Sequence, residues 1–197
     1  MRYYYDAALR KTVLWKSRPL LKAFNEGAHP RDAAGRFTDK GFFYTEEQRA
    51  QAVKNDLKKL CTERAVPLPD IPFTRENYNK LFPVGIIQTP ICSVKLGEHQ
   101  FEKLQSLNRN YLLGAVAETL KKPVAVIFEM RDGKPSLLYV KSFLTGGKYK
   151  IVQSVVVEID GVNVSVSTHE RTINNVLNKI KKADQVIYKD TNSQPND

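Results

Sequence analysis

The sequence predicts an α+β protein: a long helix followed by a four-stranded antiparallel meander and a C-terminal helix, preceded by a helical or irregular N-terminal extension. Three observations carry this. An apolar stripe of helical period (Phe101, Leu104, Tyr111, Ala115, Leu120) runs through residues 97–121, and Pro123 stops it. Four β-rich runs then follow, divided by Asp132-Gly133, Gly146-Gly147 and Asp160-Gly161, pairs that close tight hairpins. Helical spacing returns after Glu170, with Ile173, Val176, Leu177 and Ile180 on one side.

Taken in order, residues 1–45 are basic and turn-rich, interrupted by Gly27, Pro30, Gly35 and Gly41. Residues 44–65 read as a helix. Thr45 is an N-cap, Glu46 and Glu47 suit the dipole of the first turn, and Val53, Leu57, Leu60 and Cys61 recur at helical spacing. Pro67, Pro69, Pro72, Pro83 and Pro90, half of the 10 prolines, then fall in residues 66–93 and predict an extended connector. Tyr78, Leu81 and Phe82 pack part of it down. The helix over 97–121 is either continuous or broken near Asn108-Arg109-Asn110. Strands are expected over 124–128, 136–144, 149–159 and 162–168, and a last helix from Glu170 or Arg171 to Ala183. The resulting divisions are a basic extension with one helix (1–66), a Pro-rich connector (67–77), an α+β domain (78–190) and a disordered polar tail (191–197).

The last hairpin fixes a register. With Asp160 and Gly161 as a type I′ turn, Ile159 faces Val162, Val157 faces Val164, and Val155 faces Val166, so six apolar residues share a core face. The other face then carries Glu158 beside Asn163, Val156 beside Ser165, Ser154 beside Ser167, and Val152 beside His169. It is polar, rich in hydroxyls, and open.

Composition narrows the function classes. With 42% hydrophobic and 26% charged residues the chain is globular, and no apolar run reaches the roughly 20 residues of a membrane span. No membrane partner is expected. Two cysteines and three scattered histidines provide neither a disulfide framework nor a four-ligand metal site, so no metal or cofactor is expected, and a reducing cytosol is the default compartment. The formal charge of +10 favours a polyanionic partner, nucleic acid before an anionic membrane surface, with a plainly solvated basic surface as the alternative. The excess is spread out: 16 basic against 10 acidic residues in 1–90, and 15 against 11 in 91–197.

Three segments carry a resemblance: Thr89-Pro-Ile-Cys-Ser-Val-Lys-Leu-Gly-Glu-His-Gln-Phe-Glu-Lys-Leu104, Tyr139-Val-Lys-Ser-Phe143, and Ser165-Val-Ser-Thr-His-Glu-Arg-Thr-Ile-Asn-Asn175. Together they resemble the phage-borne predicted nucleases of the barnase–EndoU–colicin–RelE superfamily, found at the ends of phage head-morphogenesis and polyvalent proteins. The likeness covers roughly residues 78–188. His29-Pro-Arg-Asp-Ala-Ala-Gly-Arg-Phe-Thr38 is similar to a short turn-like motif of phage structural proteins. The resemblance implies a helix followed by an antiparallel sheet, and metal-independent RNA cleavage on the sheet's open face. The protein would then be toxin-like, phage-associated or located in the host cytoplasm, with RNA as its partner and an immunity or phage structural protein as a further one.

Such cleavage by 2′-hydroxyl attack needs a base, an acid and cations around the phosphorane. His169 is the candidate acid or base, against the alternative of a strand-end histidine bonded to backbone. Lys141, inside a strand, is the candidate phosphorane stabiliser, against ordinary solvation. Ser167 is placed with them. Ser165 and Ser167 share the open face with His169, while Thr168 points away from it unless a bulge intervenes. Arg171, at the start of the last helix, and Arg109, within the long helix, are candidate phosphate contacts; Thr168 as N-cap would make the Arg171 region merely a helix start. His99 lies in a first helical turn, where capping or burial competes with catalysis. Cys61 and Cys92 lack an evident base, and no phosphate-binding glycine loop is present. The competing function is a non-catalytic module that holds nucleic acid or another phage protein.

Overall fold

The computed structural model describes residues 3–6, 11–14, 45–131 and 133–190. It divides into two units, residues 1–45 and 46–197. In the first, β1 (Tyr3–Asp6) pairs antiparallel with β2 (Lys11–Leu14), from Tyr3 opposite Leu14 to Asp6 opposite Lys11. The motif at residues 29–38 and the tail 191–197 lie outside the described residues.

The second unit is an eight-stranded mixed sheet with helices on both faces. Four strands form the meander that the turns predict: β6 (Ala125–Arg131), β7 (Lys134–Thr145), β8 (Lys148–Ile159) and β9 (Val162–Arg171), each antiparallel to the next. The turns are real ones. Gly133, Gly146, Gly147, Asp160 and Gly161 all take positive φ, and the last two (50° and 76°) make the type I′ turn of the final hairpin.

The rest of the sheet corrects the expected architecture. Within residues 66–93 the chain is not merely extended. It contains β3 (Val66–Pro67), α2 (Arg75–Leu81), β4 (Ile86–Gln88) and β5 (Ser93–Lys95). β4 and β5 fit beside the prolines, β3 ends on one, and Thr74 caps α2 by accepting from the Asn77 amide. β5 lies parallel to β9, β4 antiparallel to β5, and β3 parallel to the end of β7. At the far edge β10 (Val186–Lys189) pairs antiparallel with β6, giving the order β10-β6-β7-β8-β9-β5-β4.

The helices differ too. The single long helix is two, α3 (Glu98–Ser106) and α4 (Leu113–Lys121). The break falls at Asn108, whose φ of 53° is left-handed backbone that asparagine tolerates, next to Arg109. The C-terminal helix is only α5 (Ile173–Leu177). Strand β9 runs through Arg171, Thr172 caps α5, and Asn174, Asn175 and Asn178 are weak helix formers. Hydrogen bonds from the Lys181 and Lys182 amides to the Gln185 side chain then shape a turn into β10.

Both faces of the sheet are covered. Tyr78, Phe82, Phe101, Leu104 and the all-round apolar α4 pack on Val126, Tyr139, Phe143, Val152 and Val156. On the reverse face α1 (Glu46–Glu63) and α5 bring Leu57, Cys61 and Val176 against Ala125, Ile127, Leu138, Val140, Ile151 and Val155. Six consecutive β7 residues, Leu138 to Phe143, are buried, which a one-sided sheet does not allow. The helix over 46–63, grouped by sequence with the N-terminal extension, thus belongs to the sheet's own core.

Candidate functional site

The site is set by a bulge in β9. The register from Ile159–Val162 to Val156–Ser165 is as the Asp160-Gly161 turn dictates, but Val155 then pairs with Ser167. Val166 is the extra residue, and it exchanges the faces of everything beyond it. Ser154 therefore faces Thr168, and Gln153 faces His169, instead of the expected Ser154–Ser167 and Val152–His169 pairs. Burial shows the same step, with Ser165 and Thr168, three apart, as the buried residues of the strand. The hairpin tip is also not core: Ile159 and Val162 are nearly half exposed.

Thr168 consequently lies under α3. Its hydroxyl bonds Ser154 Oγ at 2.9 Å and accepts from Gln100 Nε2 at 3.1 Å, a buried network between sheet and helix. Ser165 is buried on the same side, and its Oγ has no partner among the described residues. Ser167, His169 and Arg171 project from the reverse face, in line with Val155, Gln153 and Ile151.

Beyond its short pairing with β5, β9 is an edge whose carbonyls need donors. Lys103 Nζ donates to the Val166 carbonyl at 2.9 Å, and Arg109 Nη1 to that of Thr168 at 3.0 Å. These two bonds anchor both cations at the rim of a groove of about 570 Å³. Arg131 and Lys134, flanking the β6–β7 turn, line it as well, together with Ser167, His169 and Glu158. Burial holds the His169 imidazole down to about 4, and Arg109, Arg171, Arg131 and Lys103 add to the effect. The ring is neutral at pH 7 and makes no hydrogen bond among the described residues, so it can accept a proton or donate one N–H.

Of the residues singled out by sequence, the structure brings together Ser167, His169 and Arg109, with Arg171 two residues along the strand. It separates the others. Lys141 faces Val152, on the α4 side of the sheet, and is 6% exposed. Its Nζ donates to the Lys122 carbonyl at 2.7 Å and lies 3.6 Å from Glu118, while burial lowers its pKa. There it ties down the end of α4. Thr168 and Ser165 are interior. His99 is exposed on α3. Burial pushes the Cys61 thiol up to about 12 and raises Cys92 as well, so neither is a thiolate at neutral pH.

Lys103, Arg131, Lys134 and Gln153 were not singled out. Arg131 and Lys134 carried a signal, since basic residues bracketing a hairpin turn share one end of the sheet. Lys103 carried none, because its role depends on a β9 edge that only the fold creates. No protein-family model, curated protein or solved structure matches this chain. Among the described residues no helix is long and apolar enough to cross a membrane.

Proposed function

We propose that the groove around His169 binds the phosphodiester backbone of RNA. The observation that carries this is the convergence of Lys103, Arg109, Arg131 and Lys134 on the groove at His169, whose imidazole burial first, and then Arg109, Arg171, Arg131 and Lys103, keep neutral. Such a concentration of like charge on a folded surface is relieved by a polyanion, and each phosphate neutralised releases counterions. Lys103 and Arg109 are already anchored by backbone carbonyls, so less side-chain freedom is lost when they meet a phosphate.

The second reading is metal-independent cleavage of the bound strand. It is favoured by the neutral state of His169, which leaves the ring free to take a 2′ proton while the surrounding cations meet the phosphorane charge. A base near 4 is weak at neutral pH, and Lys141 stands on the opposite face, so binding is the better-supported function. Single-stranded RNA incubated with the purified chain in EDTA separates the two. Retarded but intact RNA, released by Arg109→Ala with Arg131→Ala, is the expected result. Fragments with 2′,3′-cyclic ends that vanish in His169→Ala would establish cleavage, and no retardation at low salt would overturn both readings.

A further inference from the structure

The face that carries His169 has a second depression, one step further along β9, which the backbone groove does not account for. Same-face residues of β7, β8 and β9 fall into rows: Leu138, Val155 and Ser167; then Val140, Gln153 and His169; then Ser142, Ile151 and Arg171. Successive rows are about 7 Å apart, two residues of strand rise. The first two rows reach the groove only through their β9 members, Ser167 and His169. The third forms the floor of a cavity of about 450 Å³, walled by Lys58 and Thr62 from α1, by Tyr149, and by Asn175 from α5.

Its chemistry is that of a polar ligand with a flat face. Ser142 is fully buried in the floor, and its hydroxyl has no hydrogen-bond partner among the described residues; neither has Gln153 Oε1 in the adjoining row. An unmet buried polar group is costly, and Ser142, which lines the cavity itself, marks a place where a bound partner completes the set. The Tyr149 ring is 57% exposed at the rim, free of any ring contact among the described residues. Lys150 and Glu170 of the lining pair with each other at 3.0 Å, which leaves Lys58 and Arg171 as the cavity's excess cationic charge.

We propose that this cavity is a nucleobase subsite, receiving an unstacked base of the strand whose backbone crosses His169 and Arg171. The inference rests on the RNA-binding reading. Arg171 holds the phosphate, Tyr149 stacks on the base, and Asn175 and Thr62 meet its polar edge. Bases splayed from a single strand are recognised in this manner, by aromatic stacking with hydrogen bonds at the edge.

The test uses the full chain and three labelled probes of equal length: an adenylate decamer, a uridylate decamer, and an abasic ribose-phosphate decamer. Fluorescence anisotropy should show the wild type binding at least one base-bearing decamer about tenfold more tightly than the abasic one, the scale of one stacked base. Tyr149→Ala, at an exposed position, should abolish that preference and leave abasic binding unchanged; Asn175→Ala should reduce it. Equal binding of all three probes by the wild type overturns the subsite while RNA binding stands. Equal losses in Tyr149→Ala on based and abasic decamers overturn it likewise. Saturation by adenosine monophosphate with no effect on decamer binding would give the cavity to a free nucleotide and also overturn it. A wild type that binds none of the probes removes the RNA reading itself.

Discussion

Polyanion binding should be coupled to proton uptake by His169. In the free protein the imidazole sits at about 4 rather than 6.5, held down by burial and then by Arg109, Arg171, Arg131 and Lys103. A phosphate chain in the groove cancels the cationic contribution and can accept a hydrogen bond from the imidazolium, so the bound pKa moves back up. At about pH 5 the free ring is roughly one-tenth protonated, whereas a ring restored to its ordinary value is almost wholly so. Linkage then strengthens binding between about pH 8 and pH 5 by at most about thirtyfold. Burial, the larger cause of the depression, persists in the complex, and with solvent screening at this half-buried ring the gain is about tenfold. The sign follows from the complex holding the proton more tightly than the free protein does. NMR titration of the His169 ring, with and without RNA, reads both pKa values, and anisotropy of wild type against His169→Asn isolates the pH-dependent gain. A His169 that titrates near 6.5 in the free protein would refute the reasoning, as would affinity that is flat with pH in both proteins. The same depressed pKa gives the free protein an acid sensitivity. The His169 contribution to stability is complete above about pH 6.5 and is lost as pH falls from there toward about 4.

Lys141→Met should leave RNA affinity within about twofold of wild type by gel shift, because Lys141 lies on the far face of the sheet from the groove. A large loss would place Lys141 in the binding site after all. Thr168→Val should lower stability by about 1–3 kcal/mol in urea unfolding, since it strips a partner from both buried Ser154 Oγ and Gln100 Nε2. Gly114→Ala should cost on the order of 1–3 kcal/mol in the same assay, because the new methyl would stand 2.7 Å from Pro69 Cβ and 3.0 Å from Ile71. Arg109→Ala should reduce the slope of log affinity against log salt by about 1, a change that loss of a purely structural residue would not produce.

The hairpin turns and the first helix were legible in the local chemistry, whereas the last helix was not, since Thr172 and not Thr168 caps it and it ends at Leu177. Asp160-Gly161, Gly146-Gly147 and Gly133 announced their turns, because positive φ is a property of the residue and its neighbour. The helix over 46–63 could be read within two residues from its cap and its apolar period. Strands of two to four residues could not. β3, β4, β5 and β10 are too short for a period to emerge, and each exists because a longer strand offers it an edge. The open face was misjudged for a related reason. Val152, Val155, Val156 and Val157 read equally well as one buried face or two, and only the arrival of α1 and α5 on the reverse side decides it.

The candidate site divides along the same line. Residue types alone establish that the chain is basic, that a hairpin closes at Asp160-Gly161, and that its second strand carries serines and a histidine. Which of those side chains meet was decided by one extra residue, Val166, in a strand whose local sequence gives no sign of it. Side-chain direction alternates with every residue of a strand, so a single bulge reverses all that follow it. That inversion put Thr168 into the core, turned His169 toward Arg131, and left on the β9 edge the two carbonyls that fasten Lys103 and Arg109. Turns are local events and are written locally. The meeting of four cations around one imidazole is a long-range event, and it took the folded sheet to produce it.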